Sequence, residues 1–159
     1  MSLKETIASI HQTTDQIIAA CQGLSEEALR WKPNEESWSV QQVLCHLEEA
    51  IPYWLRELQT MINSPETPWG RGLQHEGRLA AVSDAHERKA PDVLQGLAAT
   101  KQQVQDVLGS LREEDLQLEA QSRNPRFGTK PLSFIVDHLL TEHLITHLKQ
   151  IERNIGAFN

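Results

Sequence analysis

The chain is poor in several residue types, and each shortage removes a class of protein. It has only two cysteines, Cys21 and Cys45. They form neither a Cys-x-x-Cys pair nor a framework of bridges, and they read as reduced thiols of a cytoplasmic protein. Basic residues are outnumbered, 15 against 22 acids, for a net charge of -7. Such a balance, with lysines and arginines scattered, predicts no nucleic-acid partner and no anionic membrane surface. No apolar run is long enough to span a bilayer. The first residues carry Glu5 in an amphipathic pattern, unlike a secretion signal. There is no phosphate-cradling glycine loop, no serine nucleophile elbow and no His-Glu-x-x-His motif. Low-complexity tracts are also missing.

What remains is a 159-residue chain, 39% apolar and 23% charged, which suits one domain with a real core. Apolar residues recur with a helical period. Leu3, Ile7, Ile10, Thr14, Ile17, Ile18 and Cys21 form one face, and Gly23 ends it. Ser25-Glu26-Glu27 opens a short helical turn with a capping serine and early acids. Ser37 is placed to cap a second long helix, which carries Val40, Val43, Leu44, Leu47, Ile51, Trp54, Leu55, Leu58 and Ile62. Pro52 lies inside it and predicts a kink near residues 48–52. Residues 64–89, with Pro65, Pro68, Gly70, Gly72 and Gly77, read as a long connection of a kind that is often functional. Pro91 opens a third helix and Pro131 a fourth. The expectation is an all-α domain with long helices near 3–22, 38–63, 91–109 and 131–155. Leu24–Leu29 and Leu111–Leu116 resemble each other, and each lies between two long helices, so the bundle reads as two similar halves.

Seven histidines are the unusual content. His143 and His147 lie four apart, so their rings differ by only about 40° in direction on a helix. Both fall mid-stripe among Val136, Leu139, Leu140 and Ile151, where polar rings need partners. Neutral imidazole suits zinc, nickel, copper or iron. A third ligand must come from another helix, and His46, at the edge of the second stripe, is the candidate. Three histidines without a fourth protein ligand leave a coordination position for water or substrate. The alternative is that these are hydrogen-bonded packing residues, since a His-x-x-x-His spacing also arises by chance. Five residues before His143, His138 is turned roughly 140° away and serves as a control. His11, His75 and His86 have no comparable pairing and read as exposed.

The segments WSVQQVLCHLEEA (Trp38–Ala50) and FGTKPLSFIVDHLLTEHLITHLKQIER (Phe127–Arg153) resemble the DinB/YfiT-like superfamily. Trp38, Ser39, His46, Leu47, Gly128, His143, His147, Gln150 and Ile151 carry the resemblance, which extends from about Leu3 to Ile155. Relatives often have two adjacent histidines where this chain has Thr146-His147, and the second of them is the one that carries over. The resemblance implies an up-down-down-up four-helix bundle, commonly dimeric, with a divalent metal, zinc or nickel first, on His46, His143 and His147. It also implies transfer or isomerisation chemistry with a low-molecular-weight thiol. On the wheel, Tyr53 follows His46 by seven residues and is a candidate wall of the site. Gln150 follows His143 by seven and is a candidate partner of a ligand or contact of a substrate; for Tyr53 and Gln150 alike, ordinary packing is the alternative reading. Glu48, Glu49, Asp137 and Glu142 are possible proton acceptors, though helix-surface acids are usually just solvated. Cys45 points about 100° away from His46 and reads as a small buried residue. The function expected is that of a metal-dependent transferase or hydrolase acting on a small molecule as a homodimer. The alternative is a non-catalytic dimeric binding or stress-response protein with a structural metal.

Overall fold

The computed structural model describes all residues 1–159. Helix α1 spans Leu3–Cys21, α2 Glu26–Arg30, α3 Val40–Asn63, α4 Glu76–Ser83 and α5 Ala90–Gly109. A hairpin of β1 (Glu119–Gln121) and β2 (Thr129–Pro131) follows, then α6 (Leu132–Phe134), a π-helical stretch Ile135–Glu142, and α7 (His143–Phe158). The helical boundaries follow local chemistry. Gly23, at φ 79°, takes the left-handed turn after α1. The cap of α3 is Ser39 rather than Ser37: its hydroxyl accepts from Gln42 N–H while the Gln42 side chain returns to the Ser39 N–H. Both orphan donors are thereby satisfied, an advantage Ser37 lacks in a stretch already turned by Asn34.

The four long helices make the bundle. Helix α1 packs on α5 and on α7, and α3 packs on the same two. Successive long helices α1 and α3 therefore stand diagonally, and the chain needs a long crossover rather than a tight hairpin within each half. These crossovers are the repeated segments: one contains α2 and the other a short 3-10 turn, Glu113–Gln117. The core is continuous and includes Ile10, Ile17, Val43, Leu44, Leu47, Leu58, Val93, Leu97, Leu108, Leu132, Ile135, Leu144 and Ile151. No helix is long and apolar enough to cross a membrane.

Two features depart from the periodic reading. Residues 64–89 are not simply a loop, because α4 and a 3-10 turn at Ala85–Glu87 fold back against α3. Their glycines and weak apolar pattern hide this, since α4 buries no residue of its own. The β-hairpin stands outside the all-α expectation, and its strands are only three residues each. Trp69 ties the two features together. Its backbone N–H donates to Gln121 O at 3.1 Å, and Arg123 N–H donates to Trp69 O at 2.7 Å. Its indole N–H donates to Ala120 O at 2.8 Å. The ring is 1% exposed, packed against Trp54, Phe127 and Phe134.

Candidate metal centre

Helix α3 carries His46 and α7 carries His143 and His147 at its start, and the two helices are in contact. The Nε2 atom of His143 lies 3.2 Å from that of His46 and 2.9 Å from that of His147. The structure thus brings all three residues of the sequence reading to one point. His46 is more buried than its edge position on the wheel suggests, at 3% exposure. The reason is that α3 is covered on several sides, by α2, α4, α5 and α7, so its buried face is wider than one stripe. The segment before His143 is π-wound, with Thr141 Oγ1 donating to Val136 O, five residues back, at 3.0 Å. Such windings concentrate at functional sites, and a 3.6-residue wheel does not hold across this one.

Gln150 Oε1 accepts from His147 Nδ1 at 2.8 Å, so the neutral ring of His147 presents a lone pair at Nε2. The Nε2 of His143 has one in-plane site, either a hydrogen or a lone pair, yet it faces two ring nitrogens. At most one of those contacts is a well-formed hydrogen bond. His46 Nδ1 is buried with no partner. Burial, reinforced by the neighbouring rings and by Arg78 and Arg71, pushes the His46 pKa down to about 2. Burial, His147 and Arg78 push that of His143 down to about 3. Burial also lowers that of His147, against the opposing Gln150 contact. Neutral rings with converging lone pairs are the protonation state that ligation requires. Nitrogens each 2.0–2.1 Å from one ion stand about 2.9–3.4 Å apart at octahedral to tetrahedral angles. The two separations from His143 fall in that range, and the ligand nitrogens of all three residues lie within 4.8 Å of one another, a group that could hold a divalent metal.

The histidines form the floor of a cavity of about 480 Å³ that opens to solvent. Trp38 supports them: its ring stacks on His147 at 6.2 Å and leans on His46 at 5.0 Å. Asn154 Nδ2 donates to Trp38 O at 2.9 Å. Gln150 is thus placed as a partner of His147. Tyr53 does not line the cavity: its hydroxyl donates to Glu57 at 3.0 Å and its ring lies under the Arg71 guanidinium at 4.0 Å. It stands one layer behind, supporting a wall residue. His138 does not line the cavity; its side chain is 48% exposed, paired with Glu142 at 2.9 Å and stacked on Phe134. Glu49 is engaged by Arg71 and Glu48 by Arg88, each pair bidentate, while Asp137 is exposed. Cys21 and Cys45 are buried and free. His75 and His86 are exposed, but His11 is half-buried and its Nε2 meets Lys101 O at 2.8 Å. That bond ties α1 to α5, a pairing that sequence spacing cannot show.

The sequence reading did not find the other walls: Arg71, Leu73, Gln74 and Arg78 from residues 64–89, Asn124, Arg126 and Phe127 from the hairpin, and Trp54 and Leu139. The only available signal was the length and glycine content of residues 64–89.

The whole chain is similar to YfiT from Bacillus subtilis, described as a probable metal-dependent hydrolase with an unusual four-helix bundle topology. The match covers 98% of this chain and 90% of that one, with a TM-score of 0.79 at 14% sequence identity. At that identity the likeness speaks for the fold. No curated protein matches the chain significantly. The family model of the DinB superfamily matches residues 9–151, nearly all of the bundle and all three histidines. The chain belongs to the DinB superfamily.

Proposed function

We propose that the protein is a metal-dependent enzyme, most simply a hydrolase, acting on a small molecule over His46, His143 and His147. One observation carries this reading: three neutral imidazole nitrogens converge on the floor of an open cavity of about 480 Å³. A purely structural metal would be expected in a closed four-ligand set. A divalent ion held there supplies Lewis acidity and lowers the pKa of bound water or thiol. The chain's own part is orientation. Gln150 fixes the tautomer of His147, and Trp38 holds the rings of His46 and His147 in place. Trp54, Phe127 and Leu139 give the cavity an apolar side that excludes water from part of a bound substrate. The hydrolase description of YfiT, a similar fold, agrees with this reading. A low-molecular-weight thiol would compete for the same open position. A homodimer is part of the proposal and is read by light scattering.

The test is elemental analysis of the purified and reconstituted protein, followed by turnover of small esters and amides with and without added thiols. The expected result is one zinc or nickel per chain, lost in His46→Ala, His143→Ala and His147→Ala, with metal-dependent turnover in at least one arm. A protein that takes up no divalent metal at neutral pH overturns the proposal.

A further inference from the structure

The cavity above the histidines carries an unusual charge. The chain as a whole is acidic, at -7, yet no aspartate or glutamate lines this cavity and three arginines do. The three are not equivalent. Arg71 is 8% exposed and held by both oxygens of Glu49, so its charge is compensated and its role is structural. Arg78 has no carboxylate partner: its guanidinium donates to Leu73 O at 3.1 Å and lies over Trp38 at 5.4 Å. Arg126 also has none, and its guanidinium sits over Phe127 at 5.7 Å. Two unpaired guanidinium groups therefore face one cavity from opposite segments, α4 and the β1–β2 connection. Partial burial and repulsion from Arg71 disfavour the Arg78 cation, while the charge of Glu49, whose oxygens are both bound by Arg71, favours it. An anion between the two would relieve both costs. Guanidinium forks match carboxylate and phosphate oxygens, and charge-assisted bonds of this kind are strong. Beside them stands an apolar surface of Leu73, 61% exposed, with Phe127 and Leu139.

We propose that Arg78 and Arg126 clamp an oxyanion, a carboxylate or a phosphate monoester, on a small substrate whose apolar body rests on Leu73 and Phe127 and whose reacting group lies over the three histidines. The proposal rests on the reading of the site as a small-molecule enzyme centre and adds the substrate class. Both arginines are binding residues in it. Neither holds a fold-determining contact like the Arg71–Glu49 pair, so their replacement leaves the bundle intact.

The experiment measures affinity by calorimetry with three probes of similar shape: phenylacetate, phenyl phosphate and the neutral phenylacetamide. Zinc-loaded and chelator-treated protein are compared, with Arg78→Gln, Arg126→Gln and the double variant; circular dichroism and zinc content are read in parallel. The expected result is that at least one anion binds the wild type ten-fold or more tighter than the amide. Each single variant should weaken that anion several-fold, and the double variant should remove its advantage, with amide affinity and zinc content unchanged. Whichever anion binds more tightly identifies the carboxylate or phosphate source. An anion preference that survives in the double variant overturns the proposal, as it would then reside on the metal. Equal affinity for anions and amide in the wild type also overturns it. A protein that takes up no zinc but shows arginine-dependent anion preference in the chelator-treated arm defeats the metal reading alone.

Discussion

Replacing His46 by leucine should change the sign of its effect on stability when zinc is added. In the metal-free protein the His46 ring is 3% exposed and its Nδ1 has no partner. A buried polar group without a hydrogen bond costs about 1–3 kcal/mol. Leucine removes that cost and adds an apolar side chain of similar bulk, while its different branching gives back up to about 1.5 kcal/mol in strain. Metal-free His46→Leu is therefore expected to lie between about 0.5 kcal/mol below the wild type and about 3 kcal/mol above it. For a chain of this size each kcal/mol moves Tm by about 2–4 °C. Zinc at a hundred times Kd adds about 2.7 kcal/mol to the wild type, or about 5–11 °C. The variant keeps only two ligands and should gain little. Thermal unfolding by circular dichroism, in chelator and in excess zinc, reads both numbers. His138→Ala, outside the cavity lining, should keep the wild-type zinc increment. A full zinc increment in His46→Leu would refute His46 as a ligand, and a loss of more than about 2 kcal/mol in chelator would mark a histidine that packs well without metal.

Other outcomes follow from contacts outside the three rings. Gln150→Leu removes the acceptor at His147 Nδ1 and should weaken zinc affinity about 10–100-fold, measured by chelator competition, with little loss of helix. Trp69→Ala should cost about 3–5 kcal/mol in denaturant unfolding, since a buried indole and its bond to Ala120 O are lost together. Gly70→Ala should cost about 1–2 kcal/mol, because φ is 86° and the new Cβ would stand 3.3 Å from Ser122 Oγ. Burial raises the Cys21 thiol from 9.0 to about 12, so the folded state holds its proton after the unfolded state has lost it. Stability from this group is complete below pH 9.0 and is lost as pH rises towards about 12; Cys21→Ala should flatten the alkaline fall in Tm. A flat wild-type profile above pH 9.0 would remove that assignment.

The sequence by itself determined the long helices, because helical order depends on local periodicity and caps: α1, α3 and α5 end within two residues of where stripe and breaker residues place them. It also determined the His143–His147 pair, since two residues four apart share a face whatever surrounds them. His46 was legible as a candidate only, from its place on a second stripe and from the resemblance. Its burial was decided by helices that close over α3 from distant parts of the chain. The same holds for Trp69, whose partners Ala120 and Gln121 are some fifty residues on, and for His11, which meets Lys101 across the bundle. Arg71 and Arg78 stand seven residues apart in an irregular segment with nothing to distinguish them. Only the tertiary structure supplied Glu49 to one and left the other unpaired over the cavity, because charge compensation depends on through-space neighbours and not on spacing along the chain.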